Sequence, residues 1–151
     1  MNLANPLQAT LLKCAANGIS IFTPHTALDS TWSGLTDWLV RCAGEDGEIK
    51  ILCNEKFTPE GISEGGEGRI IAFRRPHDMA ELEARVKRHL GLSTLHPSIQ
   101  VAYAASASST VRSLAVCAGS GASVLLGRQA DVYLTGEMSH VRMYHFLRAS
   151  V

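Results

Sequence analysis

The sequence lacks a long hydrophobic run, a net charge and a closely spaced cysteine pair, and each absence excludes a class of protein. Its 14 Lys and Arg are balanced by 14 Asp and Glu, so it lacks the basic excess with which proteins bind nucleic-acid phosphates. No apolar stretch approaches the ~18 residues that a membrane-spanning helix needs. We therefore expect no nucleic-acid partner and no membrane association.

The four cysteines are widely and irregularly spaced: Cys14, Cys42, Cys53 and Cys117. Without a C-x-x-C pair they do not indicate a zinc knuckle, and they are too sparse for a disulfide scaffold. They predict reduced, mostly buried thiols in an intracellular protein. Because Met1 to Gln8 have no basic leader pattern, we expect a cytoplasmic protein and leave the nucleus and the mitochondrion open.

Apolar periodicity and turn residues predict one domain of mixed secondary structure. Hydrophobic residues make up 46% of the 151-residue chain, which suits a single core. Helices are predicted from Pro6 to Asn17, from Leu35 to near Gly44, from Asp78 to Leu90, from Ala122 to Leu126 and from Glu137. Strands are predicted at Ile19–Thr23, Glu48–Cys53, Arg69–Phe73, Ile99–Ala104, Ser113–Cys117 and Asp131–Thr135. The pattern is typical of an α/β or α+β domain.

Two further local patterns are informative. The segment Asp78–Leu90 has the clearest helical signals, because Asp78 can cap it and Glu81 stands at the capping-box position. The apolar residues of that segment share one face: Met79, Leu82, Val86 and Leu90. By contrast, the Gly-rich stretch from Thr58 to Gly68 lacks apolar periodicity and predicts a surface loop.

Two segments at predicted strand ends contain histidine and carboxylate residues at helical spacing. His25 and Asp29 are four residues apart, so a helical turn would place both on one face, where a metal or a proton-transfer site could use them. The alternative is that Asp29 or Ser30 caps the next helix. Glu137 and His140 are three apart and suit a divalent metal or acid–base chemistry. The alternative for Glu137 is a helix first-turn acid.

A third segment, from Ala115 to Ser123, combines a strand with a Gly-rich turn and a helix start. Its backbone N–H groups could hold an anion at the helix N-terminus. The alternative is that Gly119 and Gly121 only permit a tight turn between strand and helix. The pattern matches neither a P-loop nor G-x-G-x-x-G.

These segments together resemble the Nif-three-like family, which includes the GTP cyclohydrolase 1 type 2 homologues. The stretch Gly18–Asp29 is similar to the family's "HTnlD" segment, and Gly34–Leu39 to the G-x-N/T-D-x-L that follows it. Gly66–Ile70 resembles the family's G-x-GRIG turn, although Ile71 stands where glycine is usual. Val116–Ser123 resembles "CgGSGa", and Ala130–His140 resembles "aDvyiTGEmkHH", with Val141 in place of the second histidine.

The resemblance implies an α/β fold with a mixed sheet and flanking helices, toroidal homo-oligomers and a dinuclear divalent-metal site for hydrolysis. The metal could be Zn, Mn, Mg or Fe. In the family the ligands come from a His-His-Pro segment, the "HTnlD" aspartate and a G-H-x-x-x-E motif, and only Asp29 matches one of them. The resemblance makes His25, Glu137 and His140 residues that line the site. Eukaryotic relatives are named for binding a transcription factor, which implies a protein partner as the alternative function.

We expect this chain to be an internal fragment of the family fold. Residues 1–44 would end the metal-site half, residues 45–112 would form an inserted central region, and residues 113–151 would return to the metal-site half. Because most of the family's metal ligands are missing, we expect the chain to be inactive. Strands Ile19–Thr23 and Asp131–Thr135 would lack neighbours, and their apolar side chains would favour self-association.

Overall fold

The computed structural model describes residues 2–92, 109–139 and 141–143, and these form an α+β unit around one sheet. We number the strands β1–β4 and the α-helices α1–α5. The strands are β1 (Gly47–Phe57), β2 (Ser63–Asp78), β3 (Thr110–Cys117) and β4 (Val132–Thr135). The helices are α1 (Pro6–Ala16), α2 (His25–Ser30), α3 (Leu35–Val40), α4 (Met79–His89) and α5 (Ala122–Leu125), with a 3₁₀ turn at Arg41–Ala43.

The four strands form one mixed sheet in the order β1-β2-β3-β4. β1 and β2 pair antiparallel, as do β2 and β3. β4 lies parallel to β3, with Leu114 opposite Val132 and Cys117 opposite Thr135. The parallel pair is joined through α5, as parallel strands require a crossover connection. This mixed sheet with flanking helices confirms the predicted fold class.

Apolar side chains of β3 alternate between two cores, one on each face of the sheet. Leu114 and Val116 belong to the larger core, to which α3, the 3₁₀ turn and α4 also contribute. Ala115 and Cys117 point to the opposite face and pack with Leu125 of α5. This period-two alternation with both faces buried places β3 at the centre of the molecule.

Helix α4 confirms the strongest helical prediction. Asp78 caps it, since its Oδ1 accepts hydrogen bonds from Ala80 N at 2.8 Å and Glu81 N at 3.2 Å. The predicted apolar face packs into the larger core, with Leu82 and Val86 buried and Met79 and Leu90 partly buried. The capping-box role of Glu81 is not what the structure shows, because its carboxylate accepts a hydrogen bond from Arg85 at 2.6 Å.

The strand predicted at Ile19–Thr23 is wrong. These residues belong to no strand of the described chain, and Ile19, Ile21 and Phe22 are exposed. A strand is stabilised by the neighbour to which it bonds, and among the described residues no segment pairs with this one. The apolar alternation was therefore read correctly as a pattern but did not produce a strand.

The surface loop predicted from Thr58 to Gly68 is also wrong over its second half. β2 begins at Ser63, and Gly65, Gly66 and Gly68 are buried within it. At Gly66 an added Cβ would lie 2.6 Å from Ile51 Cγ2. Glycine is required here by the close approach of neighbouring elements, a reason that leaves no periodic pattern in the sequence.

Three other predictions have limited outcomes. The strand predicted at Ile99–Ala104 lies outside the described residues. The helix predicted from Glu137 begins later, because Glu137 is not helical and a helical turn covers residues 141–143. In the described part of the chain, no helix is long and apolar enough to cross a membrane.

Candidate functional site

A cavity of about 270 Å³ opens where β3 ends and lies between the turn after it, α2 and the glycines of β2. Ligands of α/β folds bind outside the carboxyl ends of parallel strands, and β3 and β4 are the parallel pair here. The wall on the β3 side runs from Cys117 to Val124. The opposite wall contains His25, Asp29, Ser30, Thr36 and Glu67. The cavity therefore joins three of the segments that resemble family motifs.

Helix α2 places His25 and Asp29 on the cavity, one turn apart on the same helix. Asp29 is half-buried, whereas His25 is exposed. The alternative in which Asp29 or Ser30 caps the next helix does not hold, because α3 has Gly34 as its N-cap and no side chain bonds to it. Asp29 is thus free of a capping role and faces the cavity.

Glu137 lies at the same end of the sheet but outside the residues that line the cavity. Its backbone N–H donates to the carbonyl of Gly119 at 3.1 Å, and Gly119 is a lining residue. Its side chain is exposed. His140 lies outside the described residues. The backbone of Glu137 is therefore next to the cavity, and its role as a site-lining side chain, with that of His140, remains a prediction.

The Gly-rich turn after β3 is held by Thr135 at the end of β4. Gly121 N–H donates to Thr135 Oγ1 at 3.0 Å, and the Thr135 hydroxyl donates to the carbonyl of Gly119 at 2.8 Å. A Cβ on Gly121 would lie 2.5 Å from Cys117 Cβ. Because the N–H of Gly121 is already bonded, this geometry favours the tight-turn interpretation over an anion site.

A buried arginine, which sequence reasoning did not single out, fixes the wall formed by α2 and β2. Arg69 is completely buried and pairs with Asp37 of α3. Its Nη1 donates to the carbonyls of Gly66 and Gly68 at 2.7 and 3.0 Å. Nη2 reaches the carbonyl of Ser30 at 3.4 Å. One guanidinium therefore ties together two segments that line the cavity.

The electrostatic character of the cavity is set by two carboxylates and a thiol. Burial raises the pKa of Cys117 to about 11, and the nearby carboxylates of Asp29 and Glu67 raise it further, as does Cys53. Cys117 is therefore a neutral thiol near pH 7 and not a nucleophilic thiolate. Glu67 was not predicted as a site residue, because only its place beside Gly66 and Gly68 brings it to the cavity.

Two hydroxyl groups on the cavity wall have no hydrogen-bond partner among the described residues. They are Ser30 Oγ, at the end of α2, and Thr36 Oγ1, in the first turn of α3. Thr36 is only 1% exposed. A buried hydroxyl without a partner costs about 1–3 kcal/mol, so both groups are unusual in a folded protein. No sequence signal marks them, since serine and threonine are common at helix ends.

The side chains at the cavity do not by themselves make the dinuclear metal centre that the resemblance implies. No cluster of three or more His, Cys, Asp or Glu residues able to hold a metal ion occurs in the described ranges 2–92, 109–139 and 141–143. A divalent cation needs several oxygen or nitrogen ligands. Asp29 supplies one carboxylate, and Glu67 is the only other acidic residue among those lining the cavity.

Comparison with known proteins gives consistent relatives. The model of the family described as "Duf34/NIF3 (NGG1p interacting factor 3)" matches residues 1–150. The "Protein NIF3 homolog" of Schizosaccharomyces pombe is 36% identical over 141 residues, which is 93% of this chain and 49% of that protein. "NGG1-interacting factor 3" of Saccharomyces cerevisiae is 36% identical over 143 residues, 90% of this chain and 48% of that protein.

A bacterial relative and a solved structure extend the comparison. The "GTP cyclohydrolase 1 type 2 homolog" of Clostridium acetobutylicum is 28% identical over 140 residues, 91% of this chain and 47% of that protein. A hypothetical protein from Staphylococcus aureus matches in structure with a TM-score of 0.63 at 19% identity, over 98% of this chain and 58% of the other. The chain spans about half the length of these relatives. The motifs, the fold and the match over residues 1–150 agree, and the chain belongs to the Duf34/NIF3 family.

Proposed function

We propose that this chain forms one wall of the active site of a metal-dependent hydrolase and that it does not hydrolyse GTP alone. The observation that carries the proposal is the position of Asp29, half-buried on a cavity at the ends of the parallel strands. In this proposal Asp29 is a metal ligand, and His25, Glu137 and His140 line the site. The division into residues 1–44, 45–112 and 113–151 belongs to the same proposal.

Inactivity of the isolated chain follows from its ligand set. Each missing protein ligand is replaced by water, and a divalent cation held through one or two carboxylates dissociates easily. The hydrolase chemistry of a bound metal is the activation of water or the polarisation of a substrate oxygen. Among the described residues, the side chains that could hold such a metal are too few for either task.

The test measures metal content and GTP turnover of the purified 151-residue chain. After incubation with Zn²⁺, Mn²⁺, Mg²⁺ or Fe²⁺ and gel filtration, we expect less than one metal per chain and no product from GTP. In equilibrium dialysis, which detects weak binding, Asp29→Asn should reduce the residual binding, and Asp46→Asn, which lies outside the cavity lining, should not. Two metals per chain with turnover abolished in Asp29→Ala would overturn the proposal.

A regulatory or scaffold function is the second candidate, favoured by one feature of this chain and by a relative's name. The feature is a set of exposed apolar side chains before residue 23: Leu3, Leu7, Ile19, Ile21 and Phe22. The S. cerevisiae relative is named NGG1-interacting factor 3. Under this alternative the chain binds an NGG1-type protein without catalysis. Purified chain and NGG1-type protein should then co-elute, and Phe22→Ser should weaken their association.

A further inference from the structure

The cavity wall contains two buried hydroxyls that only a ligand can satisfy among the groups described. Thr36 Oγ1 and Ser30 Oγ accept and donate no hydrogen bond within the described residues. The great majority of buried side-chain polar atoms in proteins do have a partner. Thr36 is buried to 99% by its 1% exposure and still lines the cavity. These atoms mark the place where a polar group of a ligand would bind.

The charges around these hydroxyls limit the chemistry of that group. The lining residues include the carboxylates of Asp29 and Glu67, and they include no lysine or arginine. Arg69, directly behind the wall, has its guanidinium bonded to Asp37 and to backbone carbonyls. Two carboxylates repel a phosphate and attract a cation or an N–H donor. The ligand group therefore donates hydrogen bonds to carboxylates and exchanges others with hydroxyls.

The size of the cavity limits the group further. Small-molecule sites usually have volumes of ~300–1,000 Å³, and this cavity has about 270 Å³. It is large enough for a planar heterocycle and too small to enclose a nucleoside triphosphate. Guanine offers adjacent N1–H and N2–H donors that a carboxylate can accept together, and an O6 acceptor that a hydroxyl can satisfy.

We propose that this cavity binds the base edge of a guanine nucleotide, with Asp29 or Glu67 accepting from N1–H and N2–H and Thr36 and Ser30 bonding to the same base. The phosphates remain outside, away from the two carboxylates. This rests on the proposed function, because it names the part of the substrate that the same site recognises. Thr36 is in this view a binding residue that selects guanine over other bases.

The experiment measures nucleoside binding to the full chain in buffer that contains EDTA, by titration calorimetry or ligand-observed NMR. We expect guanosine to bind saturably and adenosine to bind at least about tenfold more weakly, the loss that follows when a bidentate hydrogen-bond pair is missing. Inosine, which lacks the 2-amino group, should fall between them. GTP without metal should bind no more tightly than guanosine, since its phosphates meet no cation at the cavity.

Variants distinguish a binding role of Thr36 from a structural one. Thr36→Val should weaken guanosine binding about tenfold and leave the melting temperature unchanged or raised by about 2–4 °C, since an unpaired buried hydroxyl is removed. Thr36→Ser keeps the hydroxyl and should bind guanosine within about twofold of the wild type. Ser123→Ala, at an exposed lining position, is the matched control and should change neither property.

Several results would overturn the inference. These are no binding of any nucleoside, equal binding of guanosine and adenosine, tighter binding of metal-free GTP than of guanosine, and wild-type binding or a lowered melting temperature in Thr36→Val. Because EDTA removes metal and no turnover is measured, this experiment can fail while the metal and turnover results of the proposed function stand. The reverse also holds, so the two failures are separable.

Discussion

Arg69 shows how one side chain can determine the shape of a site that it does not line. Its charge is buried and paired with Asp37, and its other N–H groups hold carbonyls from the segment that follows α2 and from β2. The ring of Trp32 lies 4.6 Å from its guanidinium carbon, at the distance of a cation–π contact. Losing this residue would release Ser30 and Gly68 from each other, and both line the cavity.

Replacing Arg69 should therefore be far more costly than replacing an exposed arginine of the same strand. We expect Arg69→Met to lower the free energy of unfolding by about 3–5 kcal/mol, because the carboxylate of Asp37 is left without its partner in the protein interior. Arg75→Met is the matched control: Arg75 also pairs with an aspartate, Asp46, but its side chain is 83% exposed. That change should cost less than about 1 kcal/mol. Urea unfolding followed by circular dichroism measures both, and equal losses would contradict the role of Arg69.

The buried thiols give the fold a dependence on alkaline pH. Burial raises the pKa of Cys42 to about 11, and burial with nearby acids does the same for Cys117. In the unfolded chain both thiols ionise near pH 9, so between pH 9 and 11 the folded state binds more protons than the unfolded state. Stability is then full below pH 9 and falls as the pH rises towards 11.

The expected loss over this interval is of the order of 1–3 kcal/mol per thiol, the size of a shift of one to two pKa units. Urea midpoints measured from pH 8 to pH 11 would show it. A Cys42→Ala variant should lose part of the slope, although its midpoint at pH 8 is lower because a buried side chain is truncated. A slope unchanged in that variant would mean that other groups cause the alkaline loss.

At the scale of elements, α4 is the helix whose stability is most local in origin. Asp78 binds two free N–H groups at its start, and two i,i+4 ion pairs, Glu81–Arg85 and Glu83–Lys87, lie along it. We expect Asp78→Ala to lower the free energy of unfolding by about 1 kcal/mol through the loss of the cap. Asp78→Ser, which can still accept from the same N–H groups, should retain most of it. The same loss in both variants would show that the carboxylate of Asp78 acts other than as a cap.

Elements with local signals were predicted well, and elements that depend on distant partners were not. α4 was expected over Asp78–Leu90 and extends over Met79–His89, since caps and periodicity are properties of a short stretch. Ile19–Thr23 has strand periodicity but no strand, because the described residues offer it no partner. Ser63–Gly68 has no periodicity but is part of β2, because its glycines fit against neighbouring elements.

The candidate site divides in the same way. His25 and Asp29 could be named from the sequence, because their spacing and their resemblance to a family segment are local. Glu67, Ser30 and Thr36 could not, because they meet only when Arg69 ties β2 to the segment after α2. The contact between Arg69 and Asp37 joins residues 32 positions apart, and one sequence contains no signal for such a pairing.

At the scale of the whole molecule, the sheet is continuous across the boundary between the second and third predicted segments. β3 extends from Thr110 to Cys117 and pairs with β2 on one side and β4 on the other. Strands of the central and C-terminal segments therefore share one set of backbone hydrogen bonds. The three-part division is a proposal about how the family fold is arranged, and it does not correspond to separate sheets in this chain.

The exposed apolar residues that precede α3 lead to the last prediction. Leu3, Leu7 and Phe22 are 71%, 70% and 87% exposed, and no residue of α1 is buried. Apolar surface of this kind in one part of a chain promotes association, and burying it gains about 25 cal/mol per Å². We expect the purified chain to form dimers or larger species at micromolar concentration, measured by light scattering after size exclusion. The double variant Leu7→Ser, Phe22→Ser should shift the population towards monomer without changing the circular dichroism spectrum. Ile62→Ser, which removes a 66% exposed residue of the β1–β2 turn, is the control and should leave the distribution unchanged. A monomeric wild-type chain would show that these side chains do not drive self-association.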